Sequence, residues 1–211
     1  MAEDDTQLFS ETVSTLSTTG VPPHWDVTIE FLPASATEDD SLVARLTHIV
    51  NVAYDTTESD LFGDGYQRTS QDEVCRLIRA GELAVAYINA SPSSTSEAQK
   101  AVGCIRIMRS SDTKGALGMV ALDAMYHGGG IGRDLVLFAQ DHCRRRGMTV
   151  MQLELLVPTW FEHKFKKRLL EWYSRMGYEL VGVGQLSDIY PSLASLLKGQ
   201  CELRIYEKSL V

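Results

Sequence analysis

Three consecutive glycines give this sequence its clearest chemical signal. Gly128, Gly129 and Gly130 come directly after a strand-like run, and a helix-like stretch begins at Gly132. Glycines let the backbone turn where a Cβ would clash, and the first turn of a helix presents free amides at the positive end of its dipole. The stretch therefore predicts a site for a phosphate or pyrophosphate group.

The spacing separates this stretch from two well-known phosphate loops. A Walker A loop ends in Gly-Lys-Ser/Thr, whereas Arg133-Asp134 follows here. A Rossmann fingerprint needs GxGxxG, but counting from Gly128 and Gly130 places Arg133 at the last position. The remaining alternative is a flexible turn without a ligand, for which three glycines carry a high cost in conformational entropy.

Hydrophobic periodicity predicts the elements that must position this turn. The order is a strand from Val27, two helices, three strands, a helix, a strand, a helix and two strands. The first helix is expected over 41–54, and a polar, glycine-bearing connection over 55–68 leads to the second. We expect an α/β fold with a mixed, mostly antiparallel sheet of six to seven strands, flanked by about four helices.

The 211 residues fit one ordinary domain. Residues 1–24 are polar and end in Gly20-Val-Pro-Pro, so we expect a flexible N-terminal arm followed by a single domain over 25–211. A polar segment at 91–100 has the composition of an exposed hairpin loop.

Charge and cysteine content narrow the class of partner. The net charge of −8 disfavours nucleic acid and anionic membranes and favours an amine-bearing partner. No apolar run is long enough to span a membrane. Four cysteines without a CxxC pair are typical of reduced thiols in the cytoplasm, and no structural metal is expected.

Two motifs in the right order resemble the GNAT superfamily of N-acetyltransferases. The segment 120–133, Val-Ala-Leu-Asp-Ala-Met-Tyr-His-Gly-Gly-Gly-Ile-Gly-Arg, is similar to the family's acyl-CoA signature, Arg/Gln-x-x-Gly-x-Gly/Ala, with His127 at its first position. The segment 170–178, Leu-Glu-Trp-Tyr-Ser-Arg-Met-Gly-Tyr, resembles the family's fourth helix with its Tyr-x-x-x-Gly-Phe/Tyr ending. The resemblance covers about residues 27 to 207.

The resemblance implies acetyl-CoA as cosubstrate and assigns its contacts. Backbone groups of the fourth strand would pair with the pantetheine arm, and amides of the glycine turn would hold the pyrophosphate. The residues so implied are Val120, Ala121, Leu122, Gly128, Gly129, Gly130, Ile131, Gly132 and Arg133. Tyr173 would lie near the thioester sulfur, and Lys166 stands where the family often has Asn.

Two residues are candidates for catalysis. Tyr173 could give a proton to the leaving thiolate, or could simply close the helix interface. Strand alternation puts Glu154 beside Gln152, on the opposite side from Met151 and Leu153. A partly buried Glu154 would have a raised pKa suited to a general base, whereas an exposed one would be an ordinary strand-end residue.

The acidic residues of the 55–68 connection, Asp55, Glu58, Asp60 and Asp64, fall where the resemblance places the acceptor cleft. We therefore expect an amine acceptor, a small molecule rather than a protein, that attacks acetyl-CoA directly, with the enzyme a monomer or homodimer. Two alternatives stay open: a non-catalytic acyl-CoA-binding module, and an acyltransferase that uses a longer acyl-CoA. The basic run at 164–168 is interpreted as a mainly solvated helix face.

Overall fold

The computed structural model describes residues 25–89 and 99–211. The proposed N-terminal arm and most of the proposed hairpin loop lie outside the described residues. The strands are β1 (Val27–Phe31), β2 (Leu83–Ile88), β3 (Lys100–Arg109), β4 (Lys114–Leu122), β5 (Val150–Pro158), β6 (Glu179–Gly184) and β7 (Cys201–Ser209). The helices are α1 (Asp40–Glu58), α2 (Gln71–Arg79), α3 (Ile131–Arg145), α4 (Lys164–Arg175), α5 (Leu186–Ile189) and α6 (Pro191–Ala194).

The seven strands form one sheet in the order β1-β2-β3-β4-β5-β7-β6. Every neighbouring pair is antiparallel except β4 and β5, which run parallel. This confirms the predicted mixed, mostly antiparallel α/β sheet and the order of its main elements. Neither α5 nor α6 was predicted, because a helix of a single turn is too short to show a hydrophobic period.

The first helix is longer than its hydrophobic pattern suggested. Asp39 caps it, because its carboxylate accepts a hydrogen bond from the Leu42 amide at 3.0 Å. The helix then continues to Glu58, through residues that the sequence analysis placed in the connection. The polar Asp55-Thr-Thr-Glu ending looks like a loop in sequence, but Glu58 finds a buried partner on α4.

Each face of the sheet is covered by its own pair of main helices. Leu135 of α3 and Tyr173 of α4 share one hydrophobic cluster with Leu153 of β5. Leu46 of α1 shares a second cluster with Cys104 of β3 and with residues of α2. The sheet is therefore a central layer, and a ligand can approach it only along a gap between strands or at an edge.

A bulge in β4 creates such a gap. Cys104 and Arg106 of β3 pair with Ala121 and Gly118, so β4 carries one extra residue, and Met119 has a φ of 47°. The pairing of β4 with β5 ends at Leu117 opposite Leu153. Beyond that point the two strands part, and the β5-facing side of 118–122 has no strand beside it.

Candidate active site

A cleft of about 840 Å³ opens where β4 and β5 part. Pockets of a few hundred to about 1,000 Å³ accommodate cofactor-sized ligands. Residues of both strands line it, together with side chains of α1 and α4 and the glycine turn. The residues of β4 and β5 are Leu117, Gly118, Met119, Val120, Leu122, Leu153, Glu154, Leu155 and Leu156. This is the position at which ligands bind in open α/β sheets, beside the carboxyl ends of parallel strands.

The predicted strand contacts fall on the wall of this cleft. Val120 and Leu122 border it directly. The side chain of Ala121 is instead buried in the cluster under α1 and α2, so only its backbone can face a ligand. Because 118–122 has no partner on the β5 side, an extended ligand can add there like a strand.

The glycine turn, residues 123–133, leads from β4 into α3. Gly128 and Gly130 adopt positive φ values of 81° and 88°, which other residues rarely reach, and Gly130 is the N-cap of α3. No side chain caps this helix end, so its first amides remain available to a ligand. Gly128, Gly130, Gly132 and Arg133 border the cleft.

The space in front of the turn suits a pyrophosphate. No atom lies within 4 Å of the position that a Cβ would take at Gly128, Gly130 or Gly132. Gly129 does not line the cleft, and the Ile131 side chain is fully buried, so the roles predicted for these two residues are limited to their backbone amides. Free amides at a helix N-terminus form an anion site, and the turn can therefore accommodate a diphosphate group.

Tyr173 reaches the same cleft from α4. Its side chain is 4% exposed and packs edge-on against Tyr178, with ring centroids 5.5 Å apart. Burial, reinforced by the neighbouring tyrosines Tyr54 and Tyr178, raises the pKa of Tyr173 far above the ordinary phenol value. The hydroxyl therefore stays protonated at neutral pH and can donate a hydrogen bond.

Glu154 borders the cleft from β5. Its neighbours Met151, Leu153 and Leu155 are buried under α3 and α4, while Glu154 projects to the opposite face, as the alternation predicted. It is half-buried, and Gln152 donates a hydrogen bond to its carboxylate at 3.4 Å. Burial raises the pKa of Glu154, and the Gln152 contact lowers it by less. A carboxylate with this environment can accept a proton at near-neutral pH.

An ion pair between Lys166 of α4 and Glu58 of α1 also borders the cleft. Their residues are only 4% and 7% exposed, and the Tyr66 hydroxyl donates to Glu58 at 3.0 Å. Two interpretations from sequence are wrong here. Glu58 belongs to a helix and is not a loop charge open to solvent, and Lys166 is not part of a solvated face. A lone polar residue at a helical position gives no signal of a partner about a hundred residues away.

Replacing Lys166 by Met should leave the Glu58 carboxylate without its counter-charge. We expect the free energy of unfolding to fall by about 2 kcal/mol, less than in a closed core because the pair borders the cleft. Urea unfolding of Lys166→Met and of the double variant Glu58→Gln/Lys166→Met measures this. The double variant should recover most of the loss, and a single variant as stable as the wild type would contradict it.

The acidic side chains expected at the cleft lie elsewhere. Asp55, Asp60 and Asp64 are exposed and do not line the cleft, and Asp60 approaches His163 Nε2 at 3.3 Å. The charged groups that do line this side include Arg45, which pairs with Asp123 at 2.5 Å, and Arg68. The prediction that four acidic residues of the 55–68 segment attract a cation to the cleft is therefore wrong.

Two further properties of the described residues concern metals and membranes. Across 25–89 and 99–211, no three His, Cys, Asp or Glu side chains come together as a metal site would require. None of the helices described there combines the length and the apolar composition needed to cross a bilayer.

About half of the chain matches a known protein family. Residues 79–180 match a family model described as an acetyltransferase (GNAT) domain. That span includes the bulged strand, the glycine turn, Glu154 and Tyr173. No curated protein sequence matches the chain significantly.

Solved structures share the fold at low sequence identity. An aminoglycoside 6'-N-acetyltransferase complexed with coenzyme A is 16% identical, with a TM-score of 0.58 over 87% of this chain and 97% of that one. The yncA protein of Salmonella typhimurium, solved with its cofactor acetyl-CoA, is 16% identical, with a TM-score of 0.57 over 88% and 95%. The NatC complex bound to Gag peptide and CoA is 17% identical, with a TM-score of 0.57 over 88% and 99%.

Proposed function

Residues 79–180 match a GNAT acetyltransferase domain, the family that the two motifs predicted, and on that premise we propose that the chain transfers an acetyl group from acetyl-CoA to an amine. One observation supports this proposal most strongly. The cleft joins an unpaired strand edge at 118–122, a glycine turn with free amides and two titratable groups of opposite role, Glu154 and Tyr173.

The cosubstrate contacts follow from the chain's own backbone. The open side of β4 would hydrogen-bond the pantetheine arm, and the amides of Gly128 to Arg133 would hold the pyrophosphate. The exposed Arg133 adds a positive charge at that end of the cleft. These contacts would direct the thioester towards Tyr173, deeper between β4 and β5.

The chemistry requires one bond to form, one to break and protons to move. The neutral amine attacks the thioester carbonyl, the new C–N bond replaces the C–S bond, and CoA leaves as a thiolate. Glu154 would accept the proton that the ammonium form must lose, directly or through water. Tyr173 would donate a hydrogen bond or its proton to the departing sulfur, and the proton that the attacking nitrogen loses as the amide forms passes to the thiolate or back to Tyr173. No covalent enzyme intermediate is needed, and the buried Cys104 and Cys143, whose pKa values are raised by burial, are poor nucleophiles.

Thiol release from acetyl-CoA in the presence of a panel of amines and peptides tests the proposal. We expect thiol release to depend on the amine and to match the amount of N-acetylated product. Slow release that no amine stimulates would favour a non-catalytic acyl-CoA-binding module. Faster turnover with butyryl-CoA than with acetyl-CoA would favour a longer acyl donor.

Glu154→Gln should lower kcat/KM about 10²-fold at pH 7, because the variant cannot accept the amine proton. Glu154 works only when ionised, so wild-type activity should rise as pH passes its raised pKa. In the variant only the ionisation of the amine still governs the rate, so the rising part of the pH–rate profile moves to higher pH. Rate profiles between pH 5 and 10 measure the change, and an unaltered profile would remove Glu154 from the mechanism.

A melting curve separates this effect from unfolding. Burial raises the pKa of Glu154 in the folded protein, so the ionised carboxylate reduces stability at pH values above its unfolded-state pKa. Glu154→Gln should therefore melt at the same temperature as the wild type, or higher, at pH 7. A lower melting temperature would mean that lost activity reflects a damaged fold.

A further inference from the structure

Arg68 borders the cleft from the segment between α1 and α2. Its side chain is partly buried, and its guanidinium carbon lies 5.0 Å from the centroid of the Tyr54 ring. The same side chain also lines a smaller cavity with Asn51 and Asp55. Arg68 is thus held in place by packing and stacking, at the wall of the space where an acceptor would enter.

The guanidinium of Arg68 has no short ion pair among the residues that the structure describes. Two carboxylates act on it electrostatically, Glu58 and Glu73, but each is bound elsewhere. Glu58 pairs with Lys166 and Tyr66, and Glu73 accepts from the Thr69 hydroxyl at 3.0 Å and from Arg76 at 3.4 Å. Apart from the hydrogen bond that it shares with the Tyr54 side chain, its donors are therefore available to a ligand that reaches the cleft.

The other arginine on this wall behaves differently. Arg45 donates to the Asp123 carboxylate at 2.5 Å, which holds the pKa of Asp123 below its ordinary value despite partial burial. Its charge is already balanced within the chain. Of the two arginines that line the cleft from α1 and the α1–α2 segment, Arg68 is therefore the one without a short ion pair among the described residues.

Aromatic and aliphatic side chains line much of the cleft on the side of α1 and the α1–α2 segment. Phe62 and Tyr66 stack in parallel with their centroids 3.9 Å apart, and both border the cleft. Further apolar lining comes from α1 and from the two short helices, namely Val52, Leu186, Tyr190 and Leu193. An acceptor that fills this side would bury an aromatic or aliphatic body beside the Arg68 guanidinium.

We propose that the acceptor is an amine that also bears a carboxylate and an apolar side chain, as an aromatic or large aliphatic α-amino acid does, and that Arg68 binds this carboxylate. The inference rests on the proposed function. A guanidinium forms two parallel charge-assisted hydrogen bonds with a carboxylate, which gives both affinity and orientation. With the carboxylate held at Arg68, the ammonium group is left for Glu154, the unpaired acidic group on the β5 wall.

Matched acceptors test this inference directly. L-phenylalanine and 2-phenylethylamine differ only in the carboxylate, as do L-leucine and isoamylamine. For wild-type enzyme we expect the KM of each amino acid to be at least about 10-fold lower than that of its decarboxylated partner. Arg68→Met should raise the KM of the amino acids by about 10- to 100-fold and change that of the plain amines less than threefold.

Two further variants separate charge, geometry and folding. Arg68→Lys keeps the charge but loses the planar fork, so its KM for the amino acids should fall between those of wild type and Arg68→Met. Arg79→Met removes an exposed arginine at the end of α2, outside the cleft, and should leave both acceptor classes unchanged. Melting curves confirm that each variant is folded before its kinetics are compared.

The failure of this inference is distinguishable from the failure of acetyl transfer. If plain amines are acetylated with the same KM as the amino acids, or if Arg68→Met affects both classes equally, the proposed carboxylate site is wrong. The proposed acetyl transfer to an amine is then unaffected. If no amine of any class yields an amide, the proposed function fails. Calorimetric titration of L-phenylalanine into the enzyme saturated with CoA then decides the site, and equal binding to wild type and Arg68→Met would overturn it.

Discussion

Replacing Tyr173 by Phe is expected to lower kcat about 10³-fold while leaving the affinity for acetyl-CoA within a factor of about three. The variant keeps the buried ring and its contacts with Trp172 and Tyr178, and it loses only the hydroxyl. The raised pKa of Tyr173 means that this hydroxyl is a donor throughout the accessible pH range. Steady-state kinetics with saturating amine, together with a separate titration of acetyl-CoA, measures the two effects.

Tyr178→Phe is the matched control for this substitution. Tyr178 lies beside Tyr173 in the same cluster, but its hydroxyl accepts a hydrogen bond from Gln140 at 3.1 Å and does not border the cleft. Its loss should cost about 1 kcal/mol of stability and leave kcat unchanged. Equal losses of kcat in the two variants, or wild-type turnover by Tyr173→Phe, would show that the Tyr173 hydroxyl has no part in the chemistry.

Placing a carboxylate at Gly132 should weaken acetyl-CoA binding by more than about 100-fold. Gly132 lies in the first turn of α3, where an added Cβ meets no atom within 4 Å. Two unit charges about 5 Å apart at an effective dielectric constant of 20 repel by about 3 kcal/mol, and the pyrophosphate bears more than one charge. The fold should tolerate Gly132→Glu, since a negative side chain is favourable in the first turn of a helix.

Gly132→Ala is the control, because the family signature allows Gly or Ala at this position. It should bind acetyl-CoA within about threefold of the wild type and melt at the same temperature or slightly higher. Gly130 is a poorer choice for both substitutions, because its φ of 88° would strain any side chain. Equal acetyl-CoA affinities for Gly132→Glu and Gly132→Ala would mean that the pyrophosphate does not bind at this turn.

The sequence could predict the parts of this site that depend on local patterns. Period-two and period-3.6 hydrophobicity gave the main strands and helices, and strand alternation placed Glu154 on the correct face of β5. Predicting a tight turn at 128–130 needed no tertiary information, because glycine permits the positive φ that Gly128 and Gly130 adopt.

The rest depended on contacts between distant segments. The bulge at Met119 leaves no mark in the sequence, since methionine rarely adopts a positive φ and does so here only because the sheet imposes it. The pairing of Glu58 with Lys166 joins two helices far apart in the chain, so the acidic 55–68 segment appeared more solvated than it is. Arg68 was not predicted as a site residue, because the sequence does not show that its guanidinium borders the cleft without a short ion pair among the described residues.

Transfer of a labelled acetyl group tests the central claim most directly. The protein is incubated with acetyl-CoA carrying ¹³C in its acetyl group and with the best amine of the panel, and the products are identified by mass spectrometry. We predict that the label appears in an N-acetyl amide in an amount equal to the CoA released, and that Tyr173→Phe slows both together. Recovery of the label only as acetate, at a rate independent of the amine, would contradict the account.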